Sequence, residues 1–420
     1  MRMLLYSMML CLLPVNLFAS TLSLDDCLAQ ARTHNPALRV ARMDIGIAHE
    51  SIRQTDAALF PRIDAQGGYT AQLEAQAMKV AGQVMETQQP TYLFGSLSLN
   101  YTLYDFGRRE ARRSSSRLNR DVLTFGVRSQ EQEVSLQVVE SYFGILETQK
   151  NITAATQELQ TVEEHRRIAQ ALYDTGSVTR NDLLQAEVRL ANARQQLLAR
   201  RNLLENQYLM LNFLTGAPGT DRPQLTEPVS LTQPHAIPER TKSIRQRPDL
   251  LALRKGVEVS EQGVRESQSA FYPELFSRLS LDYLENSKLR EQTIYGASVG
   301  IKINLFDGFA STATRSKAVA ARNRATEQLR LAEEQAQLEI DTSANDLQVA
   351  FERIAVTKES IRQGEENLRI NQNRYKERVG TATEVLDAQT LLTQARTEHY
   401  RALYDYQRAA ARLRKATGDL

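Results

Sequence analysis

The chain has 420 residues and a formal net charge of only +2, with 24% of its residues charged and no tryptophan. That balance leaves no basic footprint for nucleic acid, and a mean hydropathy of −0.42 excludes a polytopic helical membrane protein. The length allows two or three ordinary domains.

The N-terminal stretch differs from everything after it. Arg2 gives it a positive start, residues 4–13 form a short apolar run, Pro14 and Asn16 end that run, and Leu17-Phe18-Ala19 places a small residue before a cut. This pattern predicts a secretory signal over residues 1–19, too short to cross a bilayer as a helix. Cys11 lies inside the apolar run, behind Met8-Met9-Leu10 rather than the small residue that lipid attachment needs. Removal of the signal would leave Cys27 alone, so no intrachain disulfide is expected.

A helical segment follows, up to Phe60-Pro61. Two segments of period two come next, near residues 62–76 and 92–106. Their odd positions include Ile63, Ala65, Tyr69, Leu97, Leu99 and Tyr101, and their even positions Asp64, Gln66, Thr70, Ser96, Ser98 and Asn100. Alternation sends successive side chains to opposite faces of a strand. About ten residues is the reach of a tilted transmembrane strand, apolar outward and polar inward. The loop between them, near residues 78–90, is expected to point outward.

From Arg108 to about Asp174 the chain is built of helix formers, interrupted only by Gly126 and Gly144. At about 1.5 Å per residue such a helix is about 100 Å long. In the return helix, residues 182–214, Leu183, Leu190, Leu197, Leu204 and Leu211 recur every seventh position. A sustained heptad of this kind specifies a left-handed coiled coil. A proline-rich connector, residues 217–246, then carries Pro218, Pro223, Pro228, Pro234 and Pro238.

The remainder repeats the plan. Asn35-Pro36-Ala37-Leu38 resembles Arg247-Pro248-Asp249-Leu250, about 212 positions on. Leu103-Tyr104-Asp105 resembles Leu305-Phe306-Asp307, and Tyr173 resembles Tyr375, about 202 positions on. A length difference of about ten residues before Leu103 reconciles the two offsets. Strands are predicted near 274–285 and 293–306, and the second seam is Val385, Leu392, His399, Tyr406 and Leu413. The expected organisation is a repeat over 20–216, the connector, and a second repeat over 247–420. Aromatics at one end of all four strands (Phe60, Tyr104, Phe106, Phe271, Tyr272, Phe306) mark an interfacial girdle. Four strands cannot close a barrel, and lipid tolerates no open sheet edge, so protomers must pool strands; three would give twelve.

Two chemical signals carry no weight. Gly296-Ala297-Ser298-Val299-Gly300 fits the nucleophile-elbow pattern, but Ser298 falls mid-strand on the polar face instead of at a strand-to-helix turn. The histidines (His34, His49, His165, His235, His399) lack metal-ligand spacing, and no cofactor motif is present. No enzymatic activity is expected.

Signal, duplicated unit, paired strands and long helices together resemble the TolC family of outer-membrane efflux proteins, across essentially the whole mature chain. The resemblance is carried by Asn35-Pro36, Phe60-Pro61, Leu305-Phe306-Asp307-Gly308 and, above all, residues 374–388, Arg-Tyr-Lys-Glu-Arg-Val-Gly-Thr-Ala-Thr-Glu-Val-Leu-Asp-Ala. It implies a mainly α fold with transmembrane β: a long coiled-coil helical barrel in the periplasm, plus four strands per protomer in a trimeric twelve-stranded barrel. It implies an outer-membrane exit duct for efflux or type I secretion, a homotrimer partnered by a periplasmic adaptor and an inner-membrane pump. At the closed end the resemblance implies an acidic ring of Glu384 and Asp387. It implies closing contacts by Asp182 and Tyr375, with Arg378 or Arg180 standing in for the usual arginine, whose place Gly380 occupies. It implies adaptor contacts at Gly176, Ser177, Val178, Gly380 and Thr381. The rival reading is a periplasmic coiled-coil adaptor, which should carry one hairpin and no lipid-facing strands.

Overall fold

A computed structural model describes residues 21–227, 240–288, 290–377 and 379–420. The predicted signal, residues 228–239 of the connector, and Arg378 lie outside the described residues. In chain order the elements are β1 (Thr21–Leu22), α1 (Leu24–His34), α2 (Pro36–Ala57), β2 (Arg62–Ala71), β3 (Ala77–Val80), β4 (Gln83–Glu86), β5 (Thr91–Tyr104), α3 (Arg108–Asp174) and α4 (Arg180–Thr215). There follow β6 (Gln224–Leu225), α5 (Arg240–Gln246), α6 (Pro248–Ser269), β7 (Glu274–Leu284), β8 (Thr293–Lys302), α7 (Ala310–Lys376) and α8 (Ala382–Thr417). The long helices run through Gly126 and Gly144 without a break. The strands β2 and β8 are shorter than the sequence suggests, and the segment between β2 and β5 contains a small hairpin of its own, β3–β4.

The chain forms two compact units, each drawing on both halves of the sequence. The first comprises the described residues within Met1–Arg39, Gln130–Arg240 and Leu338–Leu420. Its core gathers Cys27, Leu38, Val138, Tyr142, Ile145, Leu146, Leu211 and Leu214, all at most 2% exposed. Each fully buried side chain of this size contributes about 1.5–3 kcal/mol of transfer free energy. The heptad reading of α4 holds: Leu183, Leu197 and Leu211 are buried, and Leu190 and Leu204 half-buried. In α8, Leu392 and Tyr406 are buried, and His399 is half-buried with its Nδ1 3.1 Å from Thr357 Oγ1.

The Asn-Pro motif has a local cause. Buried Asn35 ends α1 and starts α2: its Oδ1 accepts from the N–H groups of Ala37 and Leu38, and its amide donates to Leu214 O at 2.9 Å. That last bond ties down the end of α4, where Gly216 sits at φ +72° as a left-handed cap. A Cβ on Gly216 would lie 2.8 Å from His34 Cβ and 2.9 Å from His34 O. Gly216→Ala should therefore destabilise by more than the roughly 1–2 kcal/mol of the left-handed penalty alone, read as a fall in the urea midpoint of the far-ultraviolet signal. One pairing escaped the sequence reading. β1 and β6 form a parallel ribbon, and Tyr142 holds its hydroxyl 2.6 Å from Thr226 O and 3.2 Å from Leu22 O, beside both strands.

The second unit comprises Val40–Ser129 and Thr241–Gln337. Its sheet runs β2-β5-β7-β8, antiparallel throughout. The register lines up the predicted faces across all four strands. Ile63, Leu99, Leu279 and Ala297 form one row, and Ala65, Leu97, Leu281 and Tyr295 the next. Arg62, Asn100, Arg278 and Ser298 form a row of the opposite face. The apolar face is exposed: Leu97 47%, Leu279 51%, Tyr295 78%, Val299 72%. On the polar face, Phe94 covers Gly68 and Phe276 covers Gly300, each ring within 3 Å of where a Cβ would sit. Such aromatic cover protects glycine in the two edge strands. Ser98, also on that face, is buried rather than solvated.

Where strands give way to helices, Phe106-Gly107 and Gly308-Phe309 are pairs of consecutive left-handed residues. Positive φ is costly for a phenylalanine; here it accompanies an aromatic cluster, with Tyr104 edge-on to Phe106 and Phe106 stacked on Tyr272. Arg113–Asp56, Arg112–Glu266 and Arg254–Glu333 link neighbouring helices of this unit. Among the described residues no helix is long and apolar enough to cross a membrane.

Candidate functional site

The residues predicted to act sit at the tips of two helical hairpins in the first unit. The α3–α4 turn closes with Gly176 at φ +70°; its N–H donates to Tyr173 O, and that of Ser177 to Leu172 O at 2.8 Å. This is the paired bonding of a Schellman cap. Thr179 then starts α4 with a capping box. Its hydroxyl accepts from Asp182 N–H, and Asp182 Oδ2 accepts from Thr179 N–H at 2.9 Å and from the hydroxyl at 2.8 Å. The hydroxyl first, and the backbone N–H second, hold the Asp182 carboxyl below its ordinary range.

The α7–α8 turn also leads into a capping box. Val379 N–H donates to Arg374 O at 2.9 Å, and Thr381 and Glu384 form the capping box of α8. Arg374 adds a contact to Glu384 Oε2 at 3.8 Å. Gly380 is confined between them: a Cβ there would lie 3.0 Å from Glu384 Oε2 and 3.1 Å from Arg374 Cβ. A larger residue at 380 would have to displace the cap, which gives a steric reason for glycine in this turn.

Tyr375 and Asp182 line one cavity of about 270 Å³, together with Val178, Thr381, His165 and Arg189. Asp182 commits its carboxylate to Thr179 and not to Tyr375. Burial, and then the Arg189 charge, push the His165 imidazole below its ordinary pKa. A second cavity of about 250 Å³ is lined by Glu158, Asn192, Asp387, Gln389 and, again, Arg189. Burial raises the Glu158 carboxyl, which Arg200 partly offsets.

One arginine that lines this site escaped the sequence reading. Arg189 of α4 donates from Nη2 to Asp387 Oδ1 of α8 at 3.1 Å. The two residues are 198 positions apart in the chain, so no local pattern links them. The only sequence signal was that Arg189 follows Asp182 by seven positions, two helical turns along one face.

The sequence profile of the outer membrane efflux protein family matches residues 27–217 and 241–419. The alkaline protease secretion protein AprF of Pseudomonas aeruginosa is 28% identical over 203 residues, 46% of this chain and 42% of the relative. The outer membrane protein TolC of Vibrio cholerae is 21% identical over 309 residues, 69% of this chain and 66% of the relative. The chain thus aligns with less than two thirds of either relative's length. The crystal structure of the Campylobacter jejuni CmeC outer membrane channel superposes with a TM-score of 0.83 at 17% identity, covering 94% of this chain and 85% of that one. With a profile match on both sides of the connector, this chain belongs to the outer membrane efflux protein family.

Proposed function

We propose that the chain is one of three identical subunits of an outer-membrane exit duct. On this reading it is a passive conduit of an efflux pump or type I secretion system, fed by an inner-membrane pump through a periplasmic adaptor. The observation that carries this is the four-stranded sheet with one exposed apolar face and β2 and β8 at its edges. Exposed edges cannot stay open in lipid, so copies must join them, and three copies make twelve strands. A second apolar stripe supports the assembly. Leu184, Val188, Leu198, Leu209 and Phe213 line one face of α4, away from its heptad seam, and are 47–70% exposed. The adaptor alternative accounts for neither feature.

Duplication of the unit is supported by length and register. Two helices of 67 residues are each followed by one of 36. Arg62 pairs with Asn100 as Glu274 pairs with Lys302, in keeping with the two repeat offsets. Repeats over 20–216 and 247–420 would thus each contribute two strands and one long hairpin. The chemistry is conduction, not catalysis; Ser298 lies in β8 opposite Arg278. Glu384 and Asp387 would ring the periplasmic end, and Asp182, Tyr375 and Arg378 would help close it. The turns at Gly176, Ser177, Val178, Gly380 and Thr381 would meet the adaptor.

Mass measurement in mild detergent is expected to give a trimer, and reconstitution in planar bilayers a conductance blocked by a trivalent cation at the acidic ring. Glu384→Ala with Asp387→Ala should remove most of that block while leaving the trimer intact. A folded, monodisperse monomer would refute the assembly, and unchanged block would reduce both acids to helix-start residues.

A further inference from the structure

Resting on the reading that the apolar face of the sheet meets lipid, we propose that the start of α3 carries a headgroup site for an anionic phospholipid, phosphatidylglycerol, of the periplasmic leaflet. A cavity of about 400 Å³ lies between α2 and α3, and Gln54, Arg109, Arg112, Ser115, Ser116 and Asn119 line it. Arg109 fixes its level in the membrane. The Arg109 guanidinium lies 5.9 Å from the centre of the Tyr101 ring, and Tyr101 stands in one row with Ser277 and Val299 on the apolar face. The cavity therefore opens where that face ends and the helices begin, the level of lipid headgroups rather than of acyl chains.

The lining suits an anion that also carries hydroxyls. Arg112, Ser115, Ser116 and Asn119 follow one another at helical spacing and share a face of α3. Arg112 commits its Nε to Glu266 at 2.6 Å, which leaves its other N–H donors for a phosphodiester. Ser114 turns its hydroxyl to Glu110, but among the described residues the side chains of Gln54, Ser115, Ser116 and Asn119 have no hydrogen-bond partner within the protein. Hydroxyls and amides both donate and accept, as does the glycerol of the headgroup. An ethanolamine ammonium would instead face two guanidiniums and one carboxylate, Glu266, that is already engaged. The second repeat supplies an internal control. α7 is as long as α3, 67 residues each, and about 202 positions on it places Ser311, Thr314, Ala318 and Ala321 where α3 has Arg109, Arg112, Ser116 and Asn119. A helix of this length forms without those side chains, so helix formation does not account for them.

The chain contains no tryptophan, so Tyr101→Trp gives the assembled channel one fluorophore per protomer, beside Arg109. Tyr104→Trp replaces it should the first reporter fail to assemble. The probes are phosphatidylglycerol and phosphatidylethanolamine, each brominated high on its acyl chains, in vesicles of the two lipids mixed. Quenching is expected to show phosphatidylglycerol preferred by roughly 5-fold or more, as for a basic group held against an anionic headgroup. Arg112→Gln should bring the two lipids close to parity, and Arg112→Lys should keep part of the preference. Ser115→Ala with Ser116→Ala, which keeps every charge, should lower it by roughly 3-fold. Arg315→Gln, which removes a like charge from α7 outside the cavity, should leave it unchanged. No preference in the parent, or equal losses in Arg112→Gln and Arg315→Gln, would overturn the site, the latter by reducing it to diffuse surface charge. Inorganic phosphate at matched ionic strength should leave the preference intact; its abolition would assign the cavity to a free anion and overturn the lipid. A tryptophan quenched by neither lipid would instead overturn the lipid-facing assignment on which the site depends.

Discussion

Val299→Arg is expected to abolish productive insertion, whereas Ser298→Arg, one residue away, should leave most of it. Val299 belongs to the exposed apolar face of β8 and is 72% exposed, and Ile301 on the same face is 70% exposed. A charged side chain at the bilayer midplane of such a sheet costs about 2–4 kcal/mol, and three copies would share one barrel. Ser298 points to the opposite face, directly across from Arg278. A like-charge cross-strand pair there costs no more than about 1 kcal/mol. The comparison is read as the yield of folded, heat-resistant oligomer after refolding into lipid. Ser298 is the better control than Ser98, because Ser98 is only 9% exposed and a long side chain would not fit. Equal yields for Val299→Arg and Ser298→Arg would mean that the two faces do not meet different solvents.

The largest loss of stability should come from Arg408→Ala. Arg408 of α8 donates to Glu147 Oε2 of α3 at 2.6 Å and to Asp405 Oδ1 at 2.7 Å, with only 17% of its side chain exposed. Removing one member of a largely desolvated ion pair leaves the other charged and unpaired, at a cost toward the lower end of the about 3–5 kcal/mol of fully buried pairs. Glu147 would be that residue, since Asp405 keeps Arg401 at 3.7 Å and Arg353 at 4.0 Å. Replacing both partners, Arg408→Met with Glu147→Leu, should recover most of the loss, because the desolvation of two charges disappears along with their attraction. Urea unfolding followed by far-ultraviolet dichroism measures both. A double variant as unstable as Arg408→Ala would mean that the arginine stem, rather than its charge, supports the packing.

Much of this protein was written in its periodicities. Alternation over Ile63, Ala65, Leu97 and Leu99 determined which face of each strand is apolar, because a strand has no other way to segregate side chains. Leu183, Leu197 and Leu211 determined the seam of α4 through the heptad. Residues 374–388 revealed the family. These features are local: each depends on residues within a few turns of one another. Tertiary structure alone decided what depends on distant partners. The β5–β7 pairing joins residues about 170–190 positions apart, and the β1–β6 ribbon brings Thr21 and Leu22 to Gln224 and Leu225 of the connector. Capping boxes turned Asp182 and Glu384, which read as gate acids, into residues that also hold their own helices. Arg189 found Asp387 because folding places α4 beside α8, a juxtaposition of residues 198 positions apart that no one-dimensional pattern encodes.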